Sequence, residues 1–306
     1  MSQPNFQACR WLIAILLVVV ISGCVTPPGK PSASTPAAAQ VATTLVLSGQ
    51  GGQVKIDANS YRTTVAINSR VRFLVLHYTT QNFKESIRLL TVGPGSAHYL
   101  LPRFDDPTYP AAGFNDLRVF SLLPETERAW HAGVSHWQDR DNLNDTSLGI
   151  EIVNEASEMN GVFVFPGFEM KQLDVLAALI RSILPRYPDM APRNVVGHSD
   201  IAYMRKSDPG PMFPWKRLSQ QGIGAWYDDA TRDKYIQQFN RTGLPAQAQI
   251  RQTFVKYGYQ APLTDTEYLM LIRAFQMHFR PERYDGQMDV ETCAILYALN
   301  EKYVSS

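Results

Sequence analysis

The segment at residues 195–211, Val-Val-Gly-His-Ser-Asp-Ile-Ala-Tyr-Met-Arg-Lys-Ser-Asp-Pro-Gly-Pro, gathers the side chains best suited to chemistry. His198 and Asp208 are candidate metal ligands, separated by a loop that also carries Lys206. A second imidazole, His77, lies in the apolar run Phe73-Leu-Val-Leu-His-Tyr-Thr-Thr80. Two imidazoles and one carboxylate make a three-ligand zinc set that leaves the fourth tetrahedral position open for water, as catalytic sites require. Ligand type alone also suits copper or iron. Taken singly, a histidine at a strand end is more often a satisfied structural residue than a ligand, and a loop lysine is usually a solvated charge.

These residues need a scaffold, and hydrophobic periodicity supplies one. Residues 71–78 and 147–153 are β-branched or aromatic runs of strand length, and residues 161–165 form a shorter one ended by Pro166. Between 169 and 184, Met170, Leu173, Leu176, Leu179, Ile180 and Ile183 recur at helical spacing until Pro185 and Pro188 terminate them. Residues 193–196 then form a strand that delivers His198 just past its end. Alternating strands and helices predict an α/β fold with a mixed central sheet flanked by helices. Side chains alternate along a strand, so Glu151 points away from the side of Leu148, Ile150 and Ile152, toward either solvent or a site.

Beyond about residue 244 the pattern is helical only. Pro245 opens one helix, stopped by Gly258; Thr264-Asp-Thr-Glu267 has the capping-box form and opens a second; a third follows Asp289, with Val290, Cys293, Ile295, Leu296 and Leu299 on apolar positions. A small C-terminal three-helix domain at 245–306 is therefore expected after a domain at 46–244.

The N-terminus reads as a processing segment. Arg10 precedes the apolar run 11–20, which is too short to span a bilayer comfortably and leads into Ile21-Ser-Gly-Cys24. That string resembles a bacterial lipobox, which implies a signal peptide at 1–23 and lipidation of Cys24; the alternative is an uncleaved anchor or a buried helix. Val25 rather than Asp after the cysteine implies the periplasmic face of the outer membrane. A Pro-, Ala-, Ser- and Thr-rich stretch to residue 45 reads as a flexible tether. Of three cysteines, only Cys293 falls in the expected folded part, so no intramolecular disulfide is expected there. With 29 basic and 28 acidic residues and no basic block, nothing points to nucleic acid.

Six strings in order, Leu76-His-Tyr-Thr79, Ser96-Ala-His-Tyr-Leu-Leu101, Arg128-Ala-Trp-His-Ala-Gly133, Asn144-Asp-Thr-Ser-Leu-Gly-Ile-Glu-Ile152, Val196-Gly-His-Ser-Asp-Ile201 and Arg205-Lys-Ser-Asp-Pro-Gly210, resemble the zinc-dependent N-acetylmuramoyl-L-alanine amidase family. The likeness is strongest to its lipid-anchored members from enteric bacteria. It covers about residues 70–216 and implies His77, His198 and Asp208 as zinc ligands. It also implies Glu151 as the acid/base that deprotonates the attacking water, and Lys206 as the group stabilising the transition state. Tyr78, Thr79, His98 and His131 are candidate substrate contacts, the two histidines having a structural role as the equal alternative; His136 and His278 carry no motif and read as structural or surface residues. Arg273-Ala-Phe-Gln, Asp285-Gly and Asp289-Val-Glu-Thr resemble the three-helix peptidoglycan-binding domain of cell-wall enzymes, against the alternative of a packing extension. The expected partners are peptidoglycan or muropeptides and, through the anchor, a membrane, with the chain acting as a monomer. Other readings are a non-catalytic recognition module, which would lack part of the ligand set, and a zinc peptidase cutting within the stem.

Overall fold

The computed structural model describes residues 70–159 and 162–304 and, before them, two short strands. The chain divides into two units, Met1–Ala66 and Ile67–Ser306. In the first, β1 (Thr44–Val46) and β2 (Gln53–Lys55) pair antiparallel. The expected signal segment, Cys24 and the expected tether up to residue 43 lie outside the described residues. No helix among the described residues is long and apolar enough to cross a membrane.

The second unit begins by alternating strands and helices. In chain order these are β3 (Phe73–Tyr78), α1 (Phe83–Val92), β4 (Tyr99–Leu101), the short α2 (Thr108–Ala111), β5 (Phe120–Ser121), β6 (His136–Trp137) and β7 (Arg140–Asp141). They continue with β8 (Ser147–Ile152), β9 (Ser157–Met159), β10 (Val162–Val164), α3 (Met170–Ile183), β11 (Val195–Gly197), α4 (His198–Ile201) and α5 (Trp215–Ser219). The central sheet has the order β11-β3-β8-β4-β5 and is parallel except for its β4–β5 edge, so the expected mixed sheet is present.

Pairing of β3 with β8 sets the layout of the site. Leu74 and Leu76 sit beside Leu148 and Ile150, and all four are buried in one core with Leu173, Leu176, Ile180 and Ile183 of α3. The alternate row carries Val75 and His77 beside Gly149 and Glu151. Because the strands run parallel, His77 and Glu151 reach the same C-terminal edge, where ligands gather in open α/β sheets. Helix α1, which sequence periodicity did not single out, starts at Asn82, whose side chain accepts from the Glu85 amide at 3.0 Å.

The remaining helices are α6 (Asp229–Thr242), α7 (Gln247–Tyr257), α8 (Asp265–Phe279) and α9 (Val290–Tyr303). Thr264 and Asp289 cap α8 and α9 by accepting from the Glu267 and Thr292 amides at 3.1 and 2.9 Å. Gly258 ends α7 with φ +139°, a conformation that side chains rarely adopt, while Pro245 lies just before the helix rather than in its first turn. The three expected helices are joined by α6, which packs on α9, and they share a core with the sheet: Ile250, Phe254, Phe275 and Leu296 belong to the same buried cluster as Leu74 and Leu76. Trp137 meets the rings of Tyr257 and Tyr259 edge-on, at 5.9 and 4.8 Å between centroids. Each such side chain, fully buried, contributes about 1.5–3 kcal/mol, so this junction is core rather than a light contact.

A buried carboxylate fastens the junction. Asp200 in α4 accepts from the Gly197 amide at 2.8 Å, from Tyr259 at 2.7 Å and from His278 Nδ1 of α8 at 2.8 Å. His278 also stacks between Trp215 and Phe279, as a structural residue does. Removing the carboxylate strands three buried donors, so Asp200→Ala is expected to lower unfolding free energy by about 3–5 kcal/mol. Urea denaturation followed by circular dichroism measures this; a loss below about 1 kcal/mol would show that the junction stands without the carboxylate.

Candidate active site

Strand ends deliver three of the site residues, and the loop after α4 delivers Lys206 and Asp208. His77 is the penultimate residue of β3, Glu151 lies beside it on β8, and β11 hands over at Gly197 directly to His198. The loop after α4 folds back so that the Ser199 amide donates to Asp208 O at 2.8 Å. This fold-back needs glycine at 197, where a Cβ would lie 2.7 Å from Pro209 Cδ.

Three electron-rich atoms meet there. His77 Nδ1 lies 3.0 Å from His198 Nδ1 and 2.9 Å from Asp208 Oδ2, and His198 Nδ1 lies 3.1 Å from that oxygen. Among the described residues this is the group of histidine, cysteine and carboxylate side chains arranged to hold a metal ion. All three side chains are buried.

The hydrogen-bond directions around His77 run one way. Ser147 Oγ–H must donate to Leu143 O, 2.6 Å away, because a carbonyl only accepts. Ser147 Oγ therefore accepts from His131 Nε2–H at 3.2 Å, and His131 Nδ1 accepts from His77 Nε2–H at 3.0 Å. Burial, reinforced by the neighbouring imidazoles, lowers His77 to about 4 and His131 well below its ordinary value, so both rings are neutral at pH 7. His77 thus presents a bare Nδ1 lone pair to His198 and Asp208. His198 Nε2–H donates to Ala132 O at 3.0 Å, which in the neutral ring leaves its Nδ1 bare as well. Two lone pairs and a carboxylate oxygen pointed at a common centre suit a borderline cation such as zinc, with both imidazole tautomers already set.

Glu151 completes the set. Among the described residues its Oε2 is buried without a hydrogen-bond partner, and burial, with Asp208 adding to it and Lys206 opposing, pushes the carboxyl well above the usual range. His77, Glu151, His198, Lys206 and Asp208 all line one cleft of about 620 Å³. Of the expected substrate contacts, Tyr78, Thr79 and His131 line that cleft too. His98 does not line it: it is fully buried, with Nδ1 accepting from the Gly149 amide at 3.0 Å and Nε2–H donating to Glu127 O at 3.2 Å, a strut for β8.

Several supporting residues escaped the sequence reading. Asn144 Oδ1 accepts from the His131 and Ala132 amides at 3.0 and 2.7 Å, and the Arg205 guanidinium donates to the carbonyls of Ala132 and Val134. At Gly149 an added Cβ would lie 2.5 Å from the His131 ring. Asn144, Ser147 and Gly149 share the string that contains Glu151, but the family likeness of that string assigns a role to Glu151 alone. Gly149→Ala should push His131 out of its chain and weaken divalent-metal affinity about 10–100-fold, the usual effect of losing a ligand's hydrogen-bond partner. Competition with a chromophoric chelator, on protein whose circular dichroism is unchanged, checks this; unaltered affinity would mean that His131 does not orient His77.

Comparison with known proteins follows the same residues. Residues 67–211 match the family model described as N-acetylmuramoyl-L-alanine amidase. The N-acetylmuramoyl-L-alanine amidase AmiD of Escherichia coli K12 is 42% identical over 273 residues, which is 86% of this chain and 96% of AmiD. The crystal structure of AmpDh3 from Pseudomonas aeruginosa superposes with a TM-score of 0.80 at 61% identity, over 82% of this chain and 99% of that one. A structure of E. coli AmiD in complex with anhydro-N-acetylmuramic acid-L-Ala-D-γ-Glu-L-Lys gives 0.71 at 39% identity, over 86% and 99%. With nearly the whole length of AmiD aligned to a chain whose candidate metal ligands fall inside the matched segment, the protein belongs to the N-acetylmuramoyl-L-alanine amidase family.

Proposed function

We propose that the chain is a zinc hydrolase that cleaves the amide between N-acetylmuramic acid and L-alanine in anhydromuropeptides and peptidoglycan, in cell-wall turnover. The observation that carries this reading is the convergence of His77 Nδ1, His198 Nδ1 and Asp208 Oδ2 in a cleft that also holds the unpartnered Glu151 Oε2. AmpDh3 has been crystallised with an anhydromuramic pentapeptide and AmiD with an anhydro-N-acetylmuramyl tripeptide, which supports this substrate class.

His77, His198 and Asp208 would hold the zinc, which supplies Lewis acidity to the scissile carbonyl and to the attacking water. Glu151 takes a proton from that water on its free Oε2 and later returns it to the departing alanine nitrogen. A carboxyl raised by burial suits both transfers near neutral pH better than an ordinary glutamate would. Lys206, on the loop between His198 and Asp208, places an ammonium beside the carbonyl oxygen as it gains negative charge. His131 and Ser147 keep His77 in its required tautomer throughout. Cys24 would carry lipid and the following tether would let the folded unit reach the wall from the outer membrane, a reading supported by Ile21-Ser-Gly-Cys24 and Val25.

Chelation is expected to abolish hydrolysis of anhydromuropeptide, and zinc to restore it. Glu151→Gln should keep the metal and lose about 10²–10⁴-fold in kcat, and Lys206→Met about 10²–10³-fold. Zinc content and turnover measured on the same preparations test both; near-normal turnover of Glu151→Gln would remove it from the chemistry. Cys24→Ser should hydrolyse normally in solution but leave the membrane fraction, and continued outer-membrane fractionation after a high-salt wash would overturn the anchor.

A further inference from the structure

The cleft has a wall that the catalytic residues do not use. Met270 and Arg273 of α8 line it together with Tyr78 and with Phe163 of β10, so a C-terminal helix supplies part of the cavity itself. Three cations face this space, and two have other work. Arg205 is committed to the carbonyls of Ala132 and Val134, and Lys206, on the loop between His198 and Asp208, is assigned to the reacting carbonyl. Arg273 is different. Its guanidinium carbon lies 4.6 Å from the Phe163 ring centroid and 5.9 Å from that of Tyr284. Among the described residues no hydrogen bond or ion pair occupies its N–H groups, and it is close enough to act electrostatically on the Tyr78 phenol. The side chain is half-buried, so part of its hydration is lost without an anion in return. A planar fork braced by two rings, with its donors free in a cleft, is built to receive a carboxylate in bidentate fashion.

The substrate class offers such a group at a suitable reach. In a stem written L-Ala-D-γ-Glu, the glutamate continues the chain through its side-chain carboxyl and leaves its α-carboxylate free. That carboxylate sits on the carbon directly after the alanine amide, about 7 Å along an extended chain from the scissile carbonyl. We propose that Arg273 is the specificity-determining residue that recognises the free α-carboxylate of the second stem residue. The C-terminal helical segment then takes part in reading the peptide at the reacting end of the substrate. This inference rests on the amidase reading for its substrate, while the arginine's role can be tested apart from turnover.

The decisive comparison uses anhydro-N-acetylmuramyl-L-Ala-D-γ-Glu-L-Lys and its counterpart with D-isoglutamine, in which the same carboxylate is a neutral amide. The variants are Arg273→Met, which keeps an apolar stem against Phe163, and Arg273→Lys, which keeps the charge but not the fork. A charge-assisted hydrogen bond is worth about 1.5–3 kcal/mol, so Arg273→Met should raise KM for the acidic substrate about 10–100-fold with kcat little changed. On the amidated substrate the variant should match the wild type, and Arg273→Lys should recover part of the loss. Equal losses on both substrates, or no loss on either, would overturn the proposal. Calorimetric titration of the zinc-loaded proteins with the free tripeptides L-Ala-D-γ-Glu-L-Lys and L-Ala-D-isoglutaminyl-L-Lys reads the same discrimination without catalysis. If wild-type protein hydrolysed neither substrate, the amidase reading would fail, and this titration would still decide the role of Arg273.

Discussion

Asp200 is the contact on which the two halves of the folded unit depend. It receives a backbone amide from the end of β11, a phenol from the segment after α7 and an imidazole from α8, all within hydrogen-bond distance and away from water. A buried carboxylate is costly unless its lone pairs are met, and here a neighbouring backbone amide and two donors from the C-terminal helical segment meet them. The amide it holds belongs to Gly197, immediately before His198. The position of a candidate metal ligand and the docking of the C-terminal helices are therefore linked through one side chain.

Around His77 the same economy appears as direction rather than strength. A hydrogen-bonded chain from His77 through His131 and Ser147 ends on a backbone carbonyl, which has no proton to give back. That terminus fixes every proton upstream, so the ligand face of His77 stays bare without a charged partner behind it. In a site of low dielectric this suits a hydrolytic centre, because one more carboxylate next to Asp208 and Glu151 would add repulsion to an already crowded set.

The parts of this architecture visible in the sequence were those carried by local regularity. Residues 73–78 and 147–152 are buried on both faces and read as strands from composition, and α3, α8 and α9 announced themselves by spacing and caps. His77, His198 and Asp208 were legible through their strings, and the fold brings them together as those strings implied. Helix α6 was less visible because its residues are mostly exposed, with only Phe239 buried, so its apolar stripe is faint. His98 and His131 could not be told apart from type and motif alone: one binds backbone inside the sheet and the other faces the cleft. The pattern change near residue 245 was plain, but nothing local signals that the later helices share a core with the sheet or place an arginine in the cleft. Those facts depend on contacts between residues far apart in sequence.

Cys293 draws a practical consequence from the shared core. It is the free thiol of the described residues, fully buried in α9, and burial pushes its pKa up to about 12. Alkylating reagents need both access and the thiolate, and the native protein withholds both. In a chain beginning after Cys24, the rate of thiol labelling would thus report how often α9 leaves the core, giving a built-in clock for opening of the helical layer that needs no added probe. Because no cross-link is involved, the folded unit would keep the same clock in reducing and oxidising surroundings alike.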